Sequence, residues 1–311
     1  MITSRCQVID GGLATELERR GHDLHDRLWS ARLLLDAPEA IERVHFDYFM
    51  AGADIAITAT YQASYEGFAE RQLTSDATTA LLRRAVTIAD AARHRAHDAG
   101  VARPLRIAAS VGPFGASRHD GSEYRGDYGL NEAQLVSFHC ARLAVLAGAG
   151  ADLLACETIP SLLEARALVQ LLRDHVSARA WVTFSCRDER RTSAGDDIGE
   201  CARWLDRQPQ VVAMGVNCVA PEFVASLITH MRAHTQKPIV VYPNSGEMWD
   251  AARRCWVGTA SRFTECVPRW MEAGAAWIGG CCRSTPEDIG QVRADVDRFS
   301  REPRRQAGGA S

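Results

Sequence analysis

Residues 149–158 read Ala149-Gly150-Ala151-Asp152-Leu153-Leu154-Ala155-Cys156-Glu157-Thr158. A glycine ends one element, an apolar run follows at once, and the polar pair Glu157-Thr158 closes it. Glycine accepts the left-handed backbone that terminates a helix, so the chain can turn directly into a strand. The phrase recurs as Ala51-Gly52-Ala53-Asp54 and Ala273-Gly274-Ala275-Ala276. It is not a dinucleotide loop: Gly148-Ala149-Gly150 precedes its strand, whereas the phosphate-binding fingerprint follows one.

Outward from this stretch, eight short runs rich in Val, Ile and Ala recur at residues 6–10, 53–60, 105–112, 151–158, 180–186, 211–218, 238–244 and 275–282. Longer helical stretches separate them. Near-continuous apolar character is the mark of strands buried on both faces, and the intervening helices supply parallel crossovers. The fold class expected is α/β, a single (β/α)8 TIM-type barrel over residues 1–300, with the polar segment 301–311 as a disordered tail. A doubly wound open sheet competes with it, because periodicity alone does not show closure.

Composition narrows the function. The chain has 311 residues, 46% hydrophobic and 24% charged, with a formal net charge of −3. No basic excess exists to follow a phosphate backbone, so nucleic acid is excluded as a partner. No stretch approaches the roughly 18 apolar residues of a membrane span, and MITSRCQVID lacks a leader's apolar region. A cytoplasmic protein without membrane contact is the expectation. Ten cysteines are too sparse here for a disulfide scaffold, so grouped cysteines point to metal or catalysis.

In a barrel of this kind the functional residues lie at the C-terminal strand ends. Those ends carry Asp10, Thr60 with Tyr61, Ser110, Glu157, Cys218, Asn244, and Cys281 with Cys282. Zinc favours thiolates in tetrahedral geometry, and a catalytic site keeps one of its four positions open. Adjacent residues of a strand point to opposite faces, so Cys281 and Cys282 can share a metal only where the strand breaks. Gly279 and Gly280 supply backbone freedom for that break, and Ser284-Thr285-Pro286-Glu287 reads as the cap of a new helix. On composition alone, three small buried core cysteines fit equally well.

Gly215-Val216-Asn217-Cys218 and Gly279-Gly280-Cys281-Cys282 resemble the paired zinc motifs of the homocysteine S-methyltransferase family. Asp10-Gly11-Gly12-Leu13-Ala14-Thr15-Glu16-Leu17 is similar to its opening motif, and Glu157-Thr158-Ile159-Pro160 to that of its fourth strand. Leu28-Trp29-Ser30, Thr58-Ala59-Thr60-Tyr61-Gln62, Ser110-Val111-Gly112-Pro113, Asp120-Gly121-Ser122-Glu123-Tyr124 and Tyr242-Pro243-Asn244-Ser245-Gly246-Glu247 resemble its S-methylmethionine-using branch.

The resemblance implies a (β/α)8 barrel with one Zn2+ on Cys218, Cys281 and Cys282. It also implies small-molecule substrates: L-homocysteine and a sulfonium methyl donor, S-methylmethionine with S-adenosylmethionine as the second candidate. Asp10 and Glu157 are placed on the homocysteine ammonium, with Thr60 and Asn217 as weaker substrate contacts. Residues 120–125, which carry both charge signs, are the candidate second subsite for the donor's amino-acid head. Trp29, Tyr61 and Trp249 are candidates for cation-π contact with it. The other seven cysteines read as packing residues, and a monomer is expected because no long extra helix extends the barrel. Competing readings are a thiol redox or zinc-binding protein using the Cys281-Cys282 pair, and a selenocysteine methyltransferase.

Overall fold

Gly52, Gly150 and Gly274, the glycines of the repeated phrase, sit at φ 129°, 90° and 112°, a region that L side chains rarely enter. Each turns the chain from a helix into a strand, as the sequence predicts. The computed structural model describes residues 6–301 except 25, 27, 251–254 and 260–262.

Strand β1 (Gln7–Val8) leads through helices α1 (Leu13–Arg19), α2 (Leu33–Asp36) and α3 (Pro38–Ala51) to β2 (Ile55–Ile57). Helices α4 (Tyr65–Ala69) and α5 (Ser75–Asp98) precede β3 (Arg106–Val111), and α6 (Phe114–Arg118) and α7 (Glu132–Ala147) precede β4 (Leu153–Ile159). Then come α8 (Leu162–Leu172), β5 (Ala180–Phe184), α9 (Ile198–Asp206), β6 (Val211–Asn217), α10 (Pro221–Arg232) and β7 (Ile239–Tyr242). A hairpin of β8 (Met248–Asp250) and β9 (Cys255–Val257) precedes α11 (Val267–Ala273), β10 (Ala275–Ile278) and α12 (Pro286–Arg301).

Eight strands pair in parallel in the order β1-β10-β7-β6-β5-β4-β3-β2. An Ile9–Ile55 bridge joins the two ends of that order, which makes a (β/α)8 TIM-type barrel and disposes of the open sheet. The antiparallel hairpin is not among the eight sequence runs. Its strands are three residues each, too short for a period to show. Of the predicted tail, Arg301 closes α12, and residues 302–311 lie outside the described residues. Among the described residues no helix is long and apolar enough to cross a membrane.

Alternation along the strands separates two cores. Leu154 and Cys156 of β4 face the helices, whereas Leu153 and Ala155 join Trp181, Ala213, Val240 and Tyr242 inside the barrel. Trp181 meets Trp277 edge-on at 5.7 Å. Continuing the alternation, Glu157 belongs to the interior face at the strand's C-terminal end. The repeated phrase has a second function: Asp54 accepts a hydrogen bond from the backbone N–H of Val8, and Asp152 from that of Ile107, each at 2.8 Å. Each carboxylate thereby satisfies a donor near the start of the neighbouring strand.

Candidate metal centre

Strand β6 ends at Asn217, and Cys218 enters the left-handed region at φ 53°, which turns its sulfur off the strand line. Strand β10 ends at Ile278, before the cysteine pair. The backbone N–H of Gly279 then donates to Val241 O at 3.0 Å, that of Gly280 to Asp10 O at 3.1 Å, and that of Cys281 to Pro243 O at 2.7 Å. The strand breaks where the sequence requires, but the reason differs. Neither Gly279 nor Gly280 has positive φ. They are small because space is short: a Cβ on Gly280 would stand 2.3 Å from Ser284 Oγ, and one on Gly279 2.8 Å from Asp10 O. Ser284 Oγ donates to Cys281 O at 2.6 Å and accepts from the Gly12 N–H at 3.0 Å, tying the cysteine loop to the β1 end.

Cys218 Sγ lies 3.1 Å from Cys281 Sγ and 3.7 Å from Cys282 Sγ, and all three sulfurs fall within 4.8 Å of one another. Bonds of about 2.3 Å in a tetrahedron set sulfurs about 3.8 Å apart, so the cluster has the dimensions of a three-thiolate zinc site. Hydrogen bonds from Cys281 and Cys282 hold the Cys218 thiol well below its ordinary pKa, and the Cys281 and Cys282 thiols are pushed up in return. A cation held among the three sulfurs would favour the ionised form of each. Asn244 steadies the group, its side-chain oxygen accepting from the Cys282 N–H at 3.2 Å and lying 3.3 Å from Cys218 Sγ. Tyr124 OH touches the same sulfur at 3.3 Å.

Glu157 shares a cavity with the three cysteines. Ser110 Oγ donates a short hydrogen bond to its Oε1, and Tyr242 bonds the same carboxyl. Burial nevertheless pushes its pKa to about 7. Thr60 does not line the cavity. Its hydroxyl donates to Ser110 O at 2.7 Å and meets Thr58 Oγ1 at 2.8 Å, and Thr58 Oγ1 accepts from the Ser110 N–H at 3.1 Å. The two threonines therefore brace the serine that holds Glu157. Asp10 is buried behind Gly11, which does line the cavity. Its Oδ2 accepts from the Ile57 N–H at 2.8 Å, and its Oδ1 is enclosed with no hydrogen-bond partner. Burial, aided by the nearby Glu157 charge, raises its pKa. Asn217 is buried and spent on Thr158, accepting from its N–H at 2.7 Å and donating to its Oγ1 at 2.8 Å; its amide nitrogen also lies 4.0 Å from Cys281 Sγ.

Trp29 and Tyr61 both line the cavity, edge-on at 6.2 Å. The Trp249 side chain lies outside the described residues. In the 120–125 segment only Gly121, Glu123 and Tyr124 face the cavity. Asp120 and Arg125 turn outward to Arg118 and Asp127, so the cation of that segment does not line the cavity. Strand-end reasoning picked out neither Tyr124 nor Tyr242 as a site residue; the placement of Tyr124 depends on a loop fold that no periodicity encodes. Of the other cysteines, Cys140 is exposed rather than a packing residue, and Cys6, Cys156 and Cys201 are buried.

Residues 7–296 match the family model described as homocysteine S-methyltransferase. The Bacillus subtilis homocysteine S-methyltransferase YbgG is 47% identical, over 92% of this chain and 93% of its own. A selenocysteine Se-methyltransferase of Brassica oleracea is 45% identical, over 91% of this chain and 86% of its own. Among solved structures, the Escherichia coli homocysteine methyltransferase MmuM in its metallated form superposes with a TM-score of 0.85 at 43% identity, covering 94% of this chain and 97% of that one.

Proposed function

This chain belongs to the homocysteine S-methyltransferase family, and we propose that it moves a methyl group from S-methylmethionine to L-homocysteine, giving methionine, with Zn2+ held by Cys218, Cys281 and Cys282. The observation that carries this reading is the meeting of three sulfurs from two strand ends at one wall of a cavity that also holds Glu157. Bound zinc would lower the pKa of the homocysteine thiol and keep it a thiolate at neutral pH without a separate base.

The protein's own groups do the remaining work. Glu157, fixed by Ser110 and Tyr242, receives the homocysteine ammonium, and the ammonium in turn favours its charged form. Asp10, behind Gly11, adds negative charge only as the bound ammonium favours its ionised form, Thr60 acts through Ser110, and Asn217 holds the Thr158 turn next to Glu157. The faces of Trp29 and Tyr61 suit the methyl groups of a sulfonium, for which cation-π contact contributes about 0.5–2 kcal/mol. The methyl passes between two sulfurs, and the donor leaves as a neutral thioether, so no group has to protonate it. Positioning and charge complementarity then supply the rate.

The relationship to a selenocysteine methyltransferase gives a second acceptor, selenocysteine, a specific basis. An assay offering S-methylmethionine, S-adenosylmethionine or glycine betaine with homocysteine or selenocysteine, with and without a chelator, decides. The expected result is chelator-sensitive methionine formation, fastest with S-methylmethionine; betaine outperforming both sulfonium donors would overturn the donor assignment.

A further inference from the structure

One half-buried carboxylate at the cavity has no assigned task. Glu123 sits on a short helical turn, Ser122–Tyr124, after α6. The turn is rigidly seated. Its Ser122 N–H donates to Asp120 Oδ1 at 3.0 Å, its Glu123 carbonyl accepts from Ser185 Oγ at 3.1 Å, and a Cβ on Gly115 would stand 2.4 Å from the Glu123 nitrogen. The next residue, Tyr124, touches the Cys218 sulfur, so the turn places Glu123 on the cysteine side of the cavity, near enough to feel the Cys218 charge.

The Glu123 side chain lines the cavity, and its Oε2 is enclosed with no hydrogen-bond partner. Such an oxygen is costly unless something arrives to satisfy it. The nearest cation of its own segment, Arg125, is engaged with Asp127 and with the Asp120 carbonyl. Burial pushes the Glu123 pKa to about 7, and the Cys218 charge adds to the rise against a weaker opposing pull from Arg125.

Two amino-acid heads must enter this cavity if the donor is S-methylmethionine. Glu157 and Asp10 serve the homocysteine ammonium in the reading above, which leaves a second ammonium to be recognised. We propose that Glu123 binds the α-ammonium of the sulfonium amino-acid donor and is the residue that selects such donors over methyl cations lacking an amine. This rests on the proposed donor class. S-adenosylmethionine carries the same head, so Glu123 serves either sulfonium amino acid.

The test compares S-methylmethionine with 4-(dimethylsulfonio)butanoate, the same sulfonium without its α-amine, in zinc-loaded wild-type enzyme, Glu123→Gln and Glu123→Asp. A hydrogen bond to a charged group corresponds to roughly a tenfold to hundredfold change. Glu123→Gln should raise the KM for S-methylmethionine by that factor, leave the KM for homocysteine and the zinc content unchanged, and erase most of the preference for the amine-bearing donor. Glu123→Asp, which keeps the charge, should retain part of that preference. A shift in the homocysteine KM instead, or an unchanged donor preference in Glu123→Gln, would overturn the proposal. If wild-type enzyme does not turn over S-methylmethionine, the donor reading falls by itself, and the same variants measured with S-adenosylmethionine still decide the role of Glu123.

Discussion

Replacing Glu157 by glutamine removes one charge from the cavity and almost nothing else. The amide oxygen can still accept from Ser110 Oγ, and the side chain keeps its length and shape. Because burial already raises the Glu157 pKa to about 7, the folded state bears a cost for the ionised carboxyl that the neutral amide does not. The thermal midpoint of Glu157→Gln should therefore equal or exceed that of the wild type. Zinc content should not change, since no cysteine has moved. On the proposed reading, what is lost is a charge-assisted hydrogen bond to the homocysteine ammonium, worth about 1.5–3 kcal/mol. At about 1.4 kcal/mol per decade this is roughly a tenfold to hundredfold rise in the KM for homocysteine, with the donor's KM unmoved. Initial rates at saturating donor over a range of homocysteine concentrations measure it. An unchanged homocysteine curve in a folded, zinc-loaded variant would refute the assignment and return Glu157 to a purely structural role.

Cys218→Ala should release zinc and abolish methyl transfer, because the remaining thiolates bind far more weakly; full zinc and full turnover by that variant would dismantle the metal site. Acid should destabilise the fold through His45, which is fully buried with both ring nitrogens unpartnered and a pKa lowered by burial to about 4. The unfolded chain takes up this proton near pH 6.5 and the folded chain only near 4, so between these values the unfolded state binds more protons and stability falls as pH falls. The loss through this group amounts to about 3 kcal/mol by pH 4; urea melts across that range should show it, and a His45→Leu variant with the same pH slope as the wild type would count against it.

The barrel was legible because its punctuation is conformational: Gly52, Gly150 and Gly274 announce strand starts by a backbone angle that few other residues tolerate. The role of Asp54 and Asp152 in the same phrase was not legible, since it depends on which strand lies alongside and in what register. Convergence of the three cysteines could be anticipated from strand ends and from the break after Ile278, but the cause assigned to Gly279 and Gly280 was wrong. The smallness of Gly279 answers to Asp10, remote in sequence, and that of Gly280 to Ser284, which the chain brings back against it four residues later. Thr60 and Asn217 show the limit of strand-end reasoning. Proximity to the mouth is readable, whereas whether a side chain faces the cavity or braces its neighbour depends on hydrogen-bond partners such as Ser110 and Thr158. Residues 120–125 were located by motif, yet which of them face the cavity depends on how the turn seats against Gly115 and Ser185, with Glu123 inward and Arg125 outward.

In the proposed reaction the homocysteine sulfur joins Cys218, Cys281 and Cys282 on one metal. Zinc K-edge X-ray absorption of the enzyme alone and with homocysteine tests this most directly. Three sulfur neighbours at about 2.3 Å are expected in the enzyme alone and four once homocysteine is added. A sulfur count that does not rise with homocysteine, or a zinc ion bound without sulfur, would contradict it.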